Sequence, residues 1–271
     1  MIAAALWTLV AGTVAGAFGV LLGIGGGVFL VPFLNLVLDL PMHGAAGVSL
    51  VTVIATSSVA SASLPRLQLV NLRLGMLLEV FTTTGGLLGV FLVNQVDDRS
   101  LRLAFGTVMA LTAVVMLARL RRRNVLHRDT DPGTLGGRFY DPETGDHVTY
   151  RLVRMPVAFL ASFVAGVVSM LGIGGGVLKV PALNAWCGVP MRVAAATSSL
   201  MIGATAVVGA VNYFVRGQVD AHLAAAAVIG VLVGARAGRA LGERTNVRGL
   251  KVLMAGVLLF VSALYFYRAM R

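Results

Sequence analysis

Apolar positions in this chain fall into long unbroken blocks, and polar residues are confined to short gaps between them. Four blocks in the first half cover residues 2–22, 43–64, 74–93 and 101–120. Four more cover residues 156–171, 192–214, 222–241 and 250–269. Most approach the roughly 20 residues that an α-helix needs to cross the hydrocarbon of a bilayer. Two shorter apolar pieces, 28–38 and 177–186, each follow a cluster of glycines and are too short to cross upright. The first block has no basic stretch before it and no clear cleavage site, so it reads as a retained span and not as a signal peptide.

The second set of blocks copies the first. Residues 22–35 read LGIGGGVFLVPFLN and residues 171–184 read LGIGGGVLKVPALN, with eleven of fourteen positions identical. The offset between them, 149 residues from Gly23 to Gly172, also aligns Pro41 with Pro190, Ser49 with Ser198 and Thr56 with Thr205. It aligns Gly85 with Gly234, Gly89 with Gly238 and Arg102 with Lys251, and needs no gap from Gly12 to Arg119. Such a duplication is a common origin of transporter folds. The pattern predicts an all-α polytopic membrane protein of two tandem homologous repeats. Each repeat has about four transmembrane helices and a glycine-rich broken or re-entrant segment. The first repeat occupies residues 1–120, a polar insert 121–154, and the second repeat 155–271. Four full spans per copy would make the repeats parallel, whereas an odd count would invert them; loop charge leaves both arrangements open.

The insert changes the picture locally. Residues 137–150 place turn formers between β-formers and predict a small β-hairpin, with a plain connector as the alternative. Arginines flank it at Arg119, Arg121, Arg122, Arg123, Arg128 and Arg154, which puts it on the cytoplasmic face.

Composition then narrows the class. Only 12% of residues are charged, about half the usual share of a soluble domain. The net charge of +11 lies in breaks beside apolar blocks, not in an aromatic-interleaved groove, which argues against nucleic acid. The single cysteine, Cys187, excludes an intramolecular disulfide and reads as a small packing residue. Histidines are scattered and no serine elbow or intramembrane carboxylate pair is present, so the sequence carries no enzyme signature and implies no cofactor or metal.

The candidate chemistry lies in the glycine clusters Gly23, Gly25, Gly26, Gly27 and Gly172, Gly174, Gly175, Gly176. Each glycine weakens a helix by about 1 kcal/mol relative to alanine, and Pro32 and Pro181 further discourage a regular helix. A broken helix exposes backbone N–H groups and the positive end of its dipole, which bind anions. The clusters lack the Gly-Lys-Ser/Thr of a P-loop. The competing reading is tight helix packing by small residues. Asn35, Asn184, Ser49 and Ser198 stand near the clusters with amides and hydroxyls that suit an oxyanion, or that serve interhelical hydrogen bonds. Two ionisable residues inside apolar blocks break the repeat: Lys179 replaces Leu30, and Glu79 replaces Val228. A charge at membrane depth costs about 2.5–3.5 kcal/mol and marks a functional position. Lys179 would attract an anion, or snorkel to an interface; Glu79 would carry a coupled proton, or sit at a helix end. Arg236 and Arg239 share a helix face, lining a vestibule or anchoring headgroups.

The doubled Gly-Ile-Gly-Gly-Gly-x-x-x-Val-Pro pattern and the Gly-Gln-Val-Asp loop at Gly217–Asp220 resemble the sulfite exporter TauE/SafE family, also called the toluene-sulfonate uptake permease family. The insert looks like an extended central loop of some prokaryotic members. The resemblance covers both repeats. It implies a multi-pass permease of the cytoplasmic membrane moving sulfite, sulfonates or related sulfur anions, with proton-linked transport. The partners expected are the lipid bilayer and a small sulfur-containing anion; a homo-oligomer is left open. An anion channel, or a scaffold acting through the insert, are the alternatives.

Overall fold

The computed structural model describes residues 2–61, 69–118, 131–141, 145–242 and 247–270. The first half forms α1 (Ile2–Leu22), α2 (Gly27–Pro32), α3 (Met42–Ser61), α4 (Leu72–Val93) and α5 (Asp98–Ala118). A two-stranded hairpin follows, β1 (Gly137–Asp141) paired antiparallel with β2 (Asp146–Tyr150). The second half forms α6 (Met155–Val168), α7 (Gly176–Trp186), α8 (Met191–Val215), α9 (Ala221–Gly242) and α10 (Val247–Met270). The predicted ends of the 43–64 and 101–120 blocks, and most of the arginine-rich start of the insert, lie outside the described residues.

Among the described residues, seven helices are long and apolar enough to cross a membrane: α1, α3, α4, α5, α6 with the turn that extends it, α8 and α9. The eighth expected span, α10, is helical but contributes only a shorter apolar stretch, Val252–Arg268. Apolar side chains such as Trp7, Phe91, Phe214 and Phe260 point outward, while Tyr213 and Tyr265 are fully buried. A surface of this kind requires lipid around it.

Specific contacts order the helices. The start of α4 meets the start of α8, where Asn71 N donates to Thr197 Oγ1 at 3.0 Å. Their far ends meet through reciprocal amide bonds between Asn94 and Asn212, at 3.1 and 3.3 Å. So α4 and α8 are parallel. Helix α3 runs against α8: Ser57 Oγ donates to Leu200 O at 3.1 Å, and a Cβ on Gly47 would stand 2.9 Å from Tyr213. Helix α10 runs against α5, with Ser262 Oγ donating to Gly106 O at 2.9 Å and the Phe105 and Tyr265 rings 4.7 Å apart.

Glycine lets two other pairs touch along their backbones. A Cβ on Gly230, Gly234 or Gly238 of α9 would run into the carbonyls of Leu9, Thr13 and Ala17 on α1. A Cβ on Gly85 or Gly89 of α4 would run into those of Phe163 and Val167 on α6. Small residues at such spacing allow close helix packing in membranes.

The bundle therefore has two ends. At the terminal end stand the starts of α1, α3, α5 and α9 and the close of α10. There His43 Nδ1 lies 2.7 Å from Asp98 Oδ1, and Arg268 pairs with Asp39 at 3.3 Å. At the hairpin end stand the starts of α4, α6 and α8, and Asn71 Nδ2 donates to Leu135 O and Tyr150 Oη. Burial pushes the Tyr150 phenol above its ordinary pKa, against the opposing pull of the Asn71 amide.

Both glycine-broken pieces enter and leave at one end. Arg268 donates to Asn35 O and Leu36 O at 3.1 and 2.9 Å, so α2 closes at the terminal end where α1 began. Val153 N donates to Cys187 O at 2.9 Å, so α7 closes at the hairpin end where α6 began. Pro32 sits where α2 widens into a π turn, Phe33–Val37. Pro181, expected to disturb its helix too, lies inside a regular α7. With no N–H of its own, Pro181 leaves the carbonyl of Val177, four residues back, without its helical donor.

Candidate functional site

The two broken hairpins meet inside the bundle. Helix α1 stops at Leu22, and Gly23, Gly25 and Gly26 take φ of 70°, 82° and 76° before α2 begins. In the second half a π turn, Ser169–Ile173, runs into Gly172, Gly174 and Gly175 with φ of 89°, 74° and 74°. A side chain in this left-handed region costs about 1–2 kcal/mol, so these six positions need glycine for conformation alone. Gly27 and Gly176 need it for a different reason. A Cβ on Gly27 would strike Gly172 O, and one on Gly176 would stand 2.6 Å from Gly23 O. Each hairpin tip is thus pressed against the other, and all eight glycines are buried.

The first turns of α2 and α7 start at this junction, where intrahelical partners for the leading N–H groups do not exist. Gly25 and Gly174 both face Val53, which lies in the middle of α3. Ser49 Oγ donates to Gly172 O at 2.7 Å and so binds the second tip. Its counterpart Ser198 is fully buried and lies 3.2 Å from where a Cβ on Gly176 would stand. Among the described residues its hydroxyl has no hydrogen-bond partner. Thr52 and Thr56 serve their own helix, bonding Ser49 O and Thr52 O.

Asn35 and Asn184 do not join this junction. Each amide closes the last turn of its own helix, Asn35 Nδ2 on Leu40 O at 2.7 Å and Asn184 Nδ2 on Val189 O at 3.0 Å. Arg236 is exposed on α9; the Arg239 side chain lies outside the described residues.

Lys179 does not snorkel, because its side chain is fully buried. It projects from the first part of α7 toward Glu79 of α4, with Nζ 3.6 Å from Oε2. Glu79 is no helix-end residue; it stands inside α4, and its Oε1 accepts from Thr205 Oγ1 of α8 at 2.6 Å. Three helices thus converge on one carboxylate. Sequence reasoning picked out Lys179 and Glu79 separately, since each breaks the repeat, but not their pairing nor the part of Thr205. The signal available was that the two exceptions both fall in apolar blocks and carry opposite charges.

These features define a polytopic helical membrane protein with paired broken hairpins and, among the described residues, an ion pair inside the bundle, the build of a transporter. The chain belongs to the sulfite exporter TauE/SafE family, whose description matches residues 8–265. It is similar to the probable membrane transporter protein YunE of Bacillus subtilis, 27% identical, with 96% of each chain covered. A probable membrane transporter protein of Xylella fastidiosa is also 27% identical, over 94% of this chain and 91% of its own. The probable membrane transporter protein MJ0441 of Methanocaldococcus jannaschii is 23% identical, over 92% and 91%. No solved structure matches the chain. Membership and the names of these relatives make this protein a membrane transporter.

Proposed function

We propose that the protein is a secondary transporter of a small sulfur-containing anion such as sulfite, thiosulfate or an organosulfonate, proton-linked through Glu79. The observation that carries this reading is the meeting of two helix starts, α2 and α7, beside the fully buried Lys179. Leading N–H groups, helix dipoles and an ammonium all favour a negative guest. The unpartnered Ser198 hydroxyl adds a donor at the same junction. The sulfur chemistry comes from the family's name alone.

The two halves, in this reading, are inverted repeats that rock about the junction to give alternating access. The pairings α1 with α9 and α6 with α4 support it, since the 149-residue offset turns one pair into the other. The insert lies in the cytoplasm, because the arginines cluster at its end of the bundle.

The test is uptake by proteoliposomes over a panel of sulfite, thiosulfate and sulfonates. Accumulation against a gradient, abolished by an uncoupler, is expected. Downhill flux alone would indicate an anion channel, and no flux of any anion would indicate a scaffold.

A further inference from the structure

We propose that the Glu79 carboxylate holds the place of the transported anion, and that Lys179 and Thr205 are the ligands over which the two exchange. The proposal rests on the transport reading above and adds the position, the ligands and the stoichiometry.

The geometry is that of an occupied oxyanion site. One oxygen of Glu79 accepts from Thr205 Oγ1 at 2.6 Å, and the other faces Lys179 Nζ at 3.6 Å. Two oxygens on one atom bridge a hydroxyl and an ammonium. A sulfonate or sulfite group presents the same pair of oxygens on sulfur.

The pair is poorly made for stability. Charge-assisted N–H···O bonds close to about 2.7–2.9 Å, yet Lys179 Nζ and Glu79 Oε2 have no hydrogen-bond partner among the described residues. A fully buried ammonium without hydrogen bonds is costly, and such pairs add little to stability even when well made. Removing both charges would remove the cost, as at the repeat-related positions, where Leu30 of the first half and Val228 of the second are apolar. Glu79 is the less buried partner, at 18% exposure against 0% for Lys179.

No other described charge competes at this point. Helix α6 and its extension carry none between Met155 and Ile173, and α7 carries only Lys179. Helix α8 brings Arg192 and Tyr213, near its two ends and well separated from Thr205 along its axis, and Tyr213 donates to Met170 O. Helix α4 adds only Arg73, in its first turn. Helix α5, which packs on α7, holds Asp98, Arg99 and Arg102 near its start.

The exchange balances as follows. An arriving monoanion binds Lys179 and Thr205, and Glu79 leaves them. Its carboxylate takes up one proton, forming an O–H bond, so the charge of the site is unchanged. On release of the anion the proton leaves and the carboxylate returns.

Purified protein in detergent would be titrated with methanesulfonate, the anion of a strong acid that does not itself titrate near neutral pH. Proton uptake would be read with an indicator dye in weak buffer. The expected result is about one proton taken up per anion bound, by linkage. Glu79→Gln should bind with no proton uptake and with an affinity independent of pH. Lys179→Met should bind at least about tenfold more weakly while remaining folded, the loss of a charged ligand. Binding by the parent without proton uptake would overturn the proposal and leave the transport reading standing, and so would loss of binding in folded Glu79→Gln. The parental proton count decides alone if that variant does not fold. Absence of binding and flux for every anion of the panel would overturn the transport reading and this one with it.

Discussion

A glycine in this protein serves one of three ends, and the substitution it resists follows from which. Gly26 holds a φ of 76°, and a Cβ there would also stand 2.8 Å from Ala15 O. Gly27 has helical backbone but faces Gly172 O. Gly256 has neither constraint, for nothing lies within 4 Å of its Cβ position in α10. Gly26→Ala should therefore destabilise the protein by at least about 1–2 kcal/mol, seen as a lower melting temperature in detergent. Gly256→Ala should be neutral or should stabilise by up to about 1 kcal/mol, from helix propensity alone. Equal effects would mean that the glycine junction is not formed as described. Valine at Gly26 or Gly175, which the sequence alone suggests as a probe of anion binding, strikes a carbonyl at 2.8 or 2.9 Å and so probes packing as well. The break itself was legible in the sequence, because each glycine of a cluster weakens a helix by about 1 kcal/mol relative to alanine. Which glycine bends and which approaches was not, since only the facing backbone distinguishes them. Asn35 and Asn184 were read as site residues because of their place in the repeat. Their amides are instead held by the turn five residues on, a local bond that repetition conserves equally well.

Between elements, the 149-residue offset was informative about correspondence and silent about partners. It makes Gly85 the counterpart of Gly234 and Gly89 of Gly238. It does not reveal that the helices of each pair cross between halves, α9 on α1 and α4 on α6, because sequence identity carries no register between elements far apart in the chain. The structure gives the equivalence a consequence. A Cβ on Gly85 would meet Phe163 O, and one on Gly234 would meet Thr13 O, so both contacts close on a carbonyl of the partner helix. Gly85→Leu and Gly234→Leu should separate their helices to a similar extent, each costing about 1–3 kcal/mol as an overpacked contact. Thermal melting of the two variants, side by side, checks this; a large loss in one and none in the other would contradict the equivalence. The same reasoning explains why Lys179 and Glu79 remained separate in the sequence. They lie 100 positions apart, in different repeats, and neither has a charged counterpart to point to the other.

On the scale of the molecule, charge and chain direction converge on one orientation. The hairpin end carries Arg73, Arg138, Arg151, Arg154 and Arg192, and the chain leaving α5 there contains Arg119, Arg121, Arg122, Arg123 and Arg128. The terminal end holds Asp39, Asp97, Asp98 and Asp220 beside its fewer arginines. Counting spans from the sequence alone met a difficulty, since four spans per half place the basic stretch before α10 opposite the basic insert. The contacts remove it. Each broken hairpin returns to the end it came from, so three full crossings remain per half, and the starts of α6 and α10 share the hairpin end. Because basic loops stay in the cytoplasm, the hairpin should face the cytoplasm and both chain termini the outside. In a Cys187→Ala background, cysteine placed at Arg216, exposed at the terminal end, should react with a membrane-impermeant maleimide on intact cells. Cysteine at Tyr140, 49% exposed on β1, should react only after the membrane is opened. Labelling of Tyr140→Cys on intact cells would reverse the orientation, and equal labelling of both positions would contradict the placement of α8's close and the hairpin at opposite ends.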